Sequence, residues 1–164
     1  MKPDKLTFKV FNVEFDGMDK CGKETLVHTM FKVFPNYVAY QERGFLSQIA
    51  YNLLYKRDWK YLPTEGYISN SLFVKLDVEK EDWLQRLEAT HEIESNKHRS
   101  DVDFVSDYER HRKAFDDGWE AMMSLDEAKG YQDHFLCLNT TGHTPEEVAL
   151  KVKERLIKLN NLRL

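Results

Sequence analysis

The chain has 164 residues, 41% hydrophobic and 32% charged, which suits one domain with a real core and points to a globular, soluble chain rather than a disordered one. A net charge of −4 argues against a general nucleic-acid coat and requires any phosphate site to be locally positive. The only cysteines, Cys21 and Cys137, sit in unlike surroundings, so the expectation is no structural disulfide and a reducing cytoplasm. No apolar run approaches the ~20 residues of a membrane span and the N-terminus lacks a signal-peptide core, so no membrane partner is expected.

Strand and helix signals alternate along the chain. "FKVFNVEF" (Phe8 to Phe15) is rich in Val and Phe and stops at Gly17, which predicts a strand. Lys23 to Phe34 places Leu26, Met30 and Val33 on one helical face, with Pro35 ending it. A short strand follows at Tyr37 to Gln41, then a helix marked by Phe45, Ile49 and Leu53. The stretch from Asp58 to Ser71 is turn-rich and reads as a connector. Leu72 to Val78 predicts a strand and Glu79 to Leu87 a helix, and Thr90 to Asp103 is polar. A long helix is expected from about Phe104 to Leu125, then a strand at Phe135 to Leu138. Thr144, Pro145 and Glu147 spell a capping box with proline in the first turn, and Val148, Val152, Leu156 and Leu159 continue that helix on one face. With no repeat and no linker, the pattern is one βαβ-type domain with a parallel sheet.

One segment carries chemistry. "DGMDKCGKET" places Gly17, Gly22 and Lys23 in the spacing of a phosphate-binding loop, after a predicted strand and at the start of a predicted helix. In such a loop successive backbone N–H groups surround phosphate oxygens, the helix N-terminus adds positive potential, and the lysine reaches the terminal phosphates. The position that usually carries a Mg²⁺-binding hydroxyl is Glu24, with Thr25 one place late. Glu24 is either a metal ligand, direct or through water, or an outward first-turn acid. The histidines form no HExxH motif, and two cysteines make no Cys-rich zinc site.

"FDGMDKCGKET" resembles the opening loop of thymidylate kinases and related nucleoside and nucleotide kinases, with acidic residues at Asp16 and Asp19. "ERGFLSQIAYN" (Glu42 to Asn52) is similar, without gaps, to the thymidylate-kinase stretch that begins Asp-Arg and closes Ala-Tyr-Gln. Its Glu-Arg opening also resembles the deoxynucleoside kinases. "LFVKLDV" resembles the strand before the lid, and His98-Arg99 falls where the family carries its arginine-bearing lid. The chain departs from the pattern in three ways. Only 19 positions separate Lys23 from Glu42, so an acceptor-holding block is missing. The lid offers Arg99, with Arg86 upstream, and the base-reading Gln is Asn52.

The resemblance implies a three-layer P-loop NTPase fold over residues 1–164, with a small parallel sheet of about four to five strands, flanking helices and a mobile lid at about 90–103. It implies ATP and Mg²⁺ as cofactors and phosphoryl transfer to a deoxynucleoside monophosphate or close relative. Lys23 and the loop amides of Gly17, Met18, Asp19, Lys20, Cys21, Gly22, Glu24 and Thr25 would hold the donor phosphates. Arg43 would clamp a phosphate with its fork, against the plainer role of a salt bridge to Glu42. Arg99 would close from the lid. Asp16, Asp19 and Glu42 form an acidic set for Mg²⁺ or an acceptor hydroxyl, with Asp16 the first choice of base for a nucleoside acceptor. Asp77 ends its strand as a further, more often structural, carboxylate. Tyr51, Asn52, Tyr55 and Trp59 are candidates for a base pocket, although aromatics at helical spacing are more often core. Phe115 and Trp119 read as core, and His111 and Arg112 as a solvated face. A compact, viral-type enzyme of the cytoplasm, or of the host cytoplasm, fits this picture, with a homodimer left open. The alternatives are a P-loop kinase acting on a nucleoside or on a modified base or end in DNA, and a non-catalytic nucleotide-binding module.

Overall fold

The computed structural model describes residues 9–34, 38–58, 62–89 and 104–161. The chain folds as β1 (Asn12–Gly17), α1 (Lys23–Val33), β2 (Ala39–Glu42), α2 (Phe45–Leu54), α3 (Glu65–Ser69), β3 (Ser71–Asp77), α4 (Lys80–Ala89), α5 (Phe104–Met123), β4 (Phe135–Asn139) and α6 (Pro145–Leu159). It is an α/β fold with a four-stranded, all-parallel sheet in the order β2-β1-β3-β4, flanked by helices.

Each predicted element forms, with shifted ends. β1 starts at Asn12, Phe8 lying outside the described residues, and it reaches Gly17 because its ladder with β3 continues to Gly17↔Leu76. The connector from Asp58 to Ser71 holds a helix that periodicity had no length to reveal. Thr64 caps α3 by accepting from the Tyr67 amide at 3.2 Å. Trp59 and the lid with Arg99 lie outside the described residues. The capping box at Thr144 forms as expected, with Glu147 and Thr144 exchanging side-chain-to-backbone bonds at 2.8 and 3.2 Å. Both cysteines are free.

The two faces of β1 differ sharply. Phe15 stacks on Tyr40, which meets Phe31 of α1 edge-on, so odd-numbered positions pack under α1. α1 packs on α6, and α2 packs on α5. Even-numbered positions carry Asn12, Glu14 and Asp16, all buried and bonded to α2, α3 and neighbouring strands. A strand buried on both faces is ordinarily apolar throughout, so this polar row is unusual. Phe115 belongs to the core, and Trp119 packs partly buried against Phe135.

His111 and Arg112 are not a solvated face. His111 is half-buried edge-on to Tyr51, and burial pulls its pKa down. Arg112 lies 3.5 Å from both Asp77 and Asp116 and donates to the Val78 carbonyl. Lys75, 3% exposed, holds Asp77 at 2.7 Å and Asp116 at 2.6 Å, so Asp77 serves the β3–α5 packing. Among the described residues, no helix is long and apolar enough to cross a membrane.

Candidate functional site

The strand order reverses beside β1. Its connection runs to β2 on one side while that of β3 runs to β4 on the other, which opens a crevice beyond their C-terminal ends. The loop from Met18 to Gly22 occupies that crevice. Lys20 and Gly22 both adopt left-handed backbone, at φ 63° and 98°, which a glycine at the N-cap of α1 accepts without cost. The five carbonyls from Gly17 to Cys21 are each taken up by a side chain. Lys23 Nζ donates to Gly17 at 2.8 Å and Met18 at 2.7 Å, and Trp83 Nε1 donates to Asp19 at 2.9 Å. Arg86 donates to Lys20 at 2.8 Å, and the Thr140 hydroxyl donates to Cys21 at 3.0 Å. Within the loop the Cys21 amide also donates to the Met18 carbonyl, at 3.3 Å.

A cleft of about 710 Å³ borders this loop. Asp19, Lys20, Gly22, Lys23, Glu24, Thr25, Glu42 and Arg43 line it, so the structure brings most of the expected site residues together. Arg86, Thr140 and His143 complete the polar wall, and Leu26, Pro145 and Val148 an apolar one. Trp83, Thr140 and His143 escaped sequence reasoning because nothing local links them to the loop. Only the placement of α4 and of the β4–α6 turn brings them there. Glu24 and Thr25 are exposed at the cleft.

Asp16 stands apart from this lining. It is 1% exposed and turned to the start of α2, where Oδ1 accepts from the Gly44 amide at 2.7 Å, the Ser47 amide at 3.0 Å and the Ser47 hydroxyl at 2.5 Å. It therefore caps α2 across the sheet. Oδ2 is buried and has no hydrogen-bond partner among the described residues. Burial pushes the carboxyl above its ordinary range, against the opposing pull of Ser47, Gly44 and Lys23. Among the described residues no three His, Cys, Asp or Glu side chains gather into a metal-holding group. Asp19, Glu24 and Glu42 share the cleft, and Asp16 does not line it.

Arg43 links this cleft to a second. Its left-handed backbone (φ 70°) turns the chain from β2 into α2, and its guanidinium lies 3.2 Å from Asp19 rather than on Glu42. On its far side, a cleft of about 890 Å³ runs along α2, lined by Ser47, Gln48, Tyr51, Asn52, Lys56 and Arg57 among others. Tyr51 stacks on Tyr55 at 6.3 Å and meets the core ring of Phe115 edge-on, so it is both a wall of the cleft and part of the packing. Cys21, inside the loop, is fully buried, and burial raises its pKa despite the nearby Lys23. The sequence matches no family model and no curated protein.

Proposed function

We propose that this chain is a nucleotide kinase of the P-loop type that transfers a phosphoryl group from ATP to a deoxynucleoside monophosphate or a close relative. The observation that carries the reading is the loop. Side chains hold its five carbonyls back, and left-handed residues at 20 and 22 curl it as an anion nest requires. The order β2-β1-β3-β4, with this loop at the reversal point, supports the same reading.

Bound ATP–Mg²⁺ supplies the transferable phosphoryl group and the charge that balances it. The residues present suit such a ligand. Lys23 already sits in the loop, and its ammonium can exchange the Gly17 and Met18 carbonyls for phosphate oxygens. Glu24, Asp19 and Glu42 offer carboxylates at the cleft, and Mg²⁺ needs only one or two of them beside phosphates and waters. Leu26, Pro145 and Val148 offer an apolar surface to a base. Arg43, between the two clefts, orients an acceptor phosphate bidentately and stabilises developing charge. A phosphate acceptor needs alignment more than a strong base. Asp16, committed to α2, then has no proton to abstract.

The second cleft favours one other reading. It is open and lined by Arg43, Lys56 and Arg57, and the Arg57 guanidinium sits 5.2 Å over the exposed Tyr55 ring. Cations beside an exposed aromatic suit a DNA end or a modified base in DNA. A panel of ATP–Mg²⁺ with each deoxynucleoside, each monophosphate and oligonucleotides with free 5′-hydroxyl ends or a hydroxylated base tests both readings. Transfer to monophosphates alone supports the first, and transfer to oligonucleotides alone supports the second. ATP binding with no transfer to any of them would leave a nucleotide-binding module.

A further inference from the structure

The corner between β2 and α2 holds a group that the transfer reading leaves unused. Glu14 is 2% exposed in the middle of β1, and its carboxyl lies directly beneath Gly44. A β-carbon at position 44 would overlap Glu14 Cδ and both carboxyl oxygens, so any larger residue there would have to displace the Glu14 carboxyl. Oε1 accepts from the Tyr67 hydroxyl at 2.6 Å, and that hydroxyl accepts from the Asn12 amide at 3.0 Å. Asn12 Oδ1 accepts in turn from Gln41 Nε2 of β2 at 2.5 Å. The Phe45 amide lies 3.5 Å from Oε2. The carboxyl is thus braced by α3 and β2 and pressed against the corner that follows Arg43.

That corner is sterically unfavourable. A non-glycine residue in left-handed backbone, as Arg43 is at φ 70°, is unfavourable and persists only where its surroundings hold it. Asp16 secures the first turn of α2 beyond the corner, at Gly44 and Ser47. The Arg43 amide donates to the Phe15 carbonyl at 2.9 Å, and the Glu14 carboxyl underlies the corner at Gly44. No cation bonds to Glu14 among the described residues, and a carboxyl buried without one is a poor choice for stability alone.

We propose that Glu14 is a positioning residue. Its carboxyl, braced by Tyr67, seats Gly44 and so keeps Arg43 in the left-handed turn that presents the guanidinium between the two clefts. The proposal rests on the phosphoryl-transfer reading for what Arg43 does there, and on the geometry alone for how Arg43 is held.

A double-mutant cycle on the full chain tests it. Glu14→Gln keeps the shape of the side chain and removes one acceptor. In the wild-type background kcat/KM for the acceptor falls about 100-fold, as expected for a misplaced catalytic group. In an Arg43→Ala background the same change alters kcat/KM by less than about twofold, because the two residues act through one group. ATP affinity by calorimetry stays at the wild-type value. Without any substrate, the amide resonances of Arg43 and Gly44 shift in Glu14→Gln. Equal losses in both backgrounds, or unmoved Arg43 and Gly44 resonances, overturn the proposal. If wild-type protein transfers phosphate to nothing in the acceptor panel, the transfer reading fails and the resonances alone decide whether Glu14 holds the corner. If Glu14→Gln fails to fold, Tyr67→Phe, which removes only the bracing hydroxyl, takes its place in both measurements with the same expected direction.

Discussion

The guanidinium of Arg43 lies 3.2 Å from the Asp19 carboxylate, joining the start of α2 to the loop before α1 at the edge of the cleft. Both side chains are more than half exposed, at 55% and 64%, so the pair contributes at most about 1 kcal/mol to stability. Its interest lies in position. Arg43→Lys keeps the charge and loses the fork, so the melting temperature stays within about 2 °C while turnover falls by two orders of magnitude or more, roughly. Melting curves beside steady-state kinetics check this. Unchanged kinetics would return Arg43 to the role of a surface ion pair with Asp19.

Lys23 behaves differently, because it is 5% exposed and holds two loop carbonyls. Lys23→Ala leaves those carbonyls short of a donor and costs about 1–3 kcal/mol of stability even without nucleotide. It also removes the cation expected at the terminal phosphates, so transfer drops by roughly 2.7–4 kcal/mol of transition-state stabilisation, several hundred-fold. Chemical denaturation and ATP calorimetry separate the two effects. Wild-type ATP affinity and activity in this variant would remove the central reading.

Glu24 points from the first turn of α1 into solvent at the cleft. Glu24→Ser removes a negative charge near the expected triphosphate and restores a hydroxyl, so the fold is kept and activity is retained or raised. Asp19→Asn weakens the Mg²⁺ dependence and also releases Arg43 from its partner. The Mg²⁺ concentration at half-maximal rate in wild type and both variants is the measurement. Lost activity in Glu24→Ser, with Asp19→Asn unaffected, would make Glu24 itself the metal ligand.

Burial pushes the Glu14 carboxyl up to about 7 from its ordinary 4.5, with Asp16 adding a smaller upward push and Tyr67 opposing. The folded protein therefore keeps this proton over a range where the unfolded chain has released it. Stability falls as pH rises from 4.5 to 7, by an amount on the order of 3 kcal/mol from this group, and levels off above. Asp16, raised in the same way, acts in the same direction. Urea denaturation of wild type and Glu14→Gln across that range shows the slope reduced in the variant. Parallel curves would mean that Glu14 titrates alike in the folded and unfolded chain.

What the sequence determined by itself is local. Each long element could be read from its own residues. Val and Phe mark β1, helical spacing marks α1 and α6, and Thr144 with Glu147 closes a capping box that needs no distant partner. The loop was legible for the same reason, since glycines at 17 and 22 and the lysine at 23 act on their own backbone. The tertiary structure decided everything that depends on strand order and on which side of a strand a residue faces. Asp16 reads as a site carboxylate beside Gly17, but the period of two along β1 turns it under α2 as a cap. Trp83, Arg86 and Thr140 reach the loop only because β3 lies beside β1, and β4 beside β3, all in parallel, which brings segments more than fifty residues away to the same end of the sheet. Glu14, one residue of a Val- and Phe-rich strand in the sequence, meets Gly44 and Tyr67 only when α2 and α3 close over that face, because a carboxyl is satisfied by donors in space and not by neighbours in the chain.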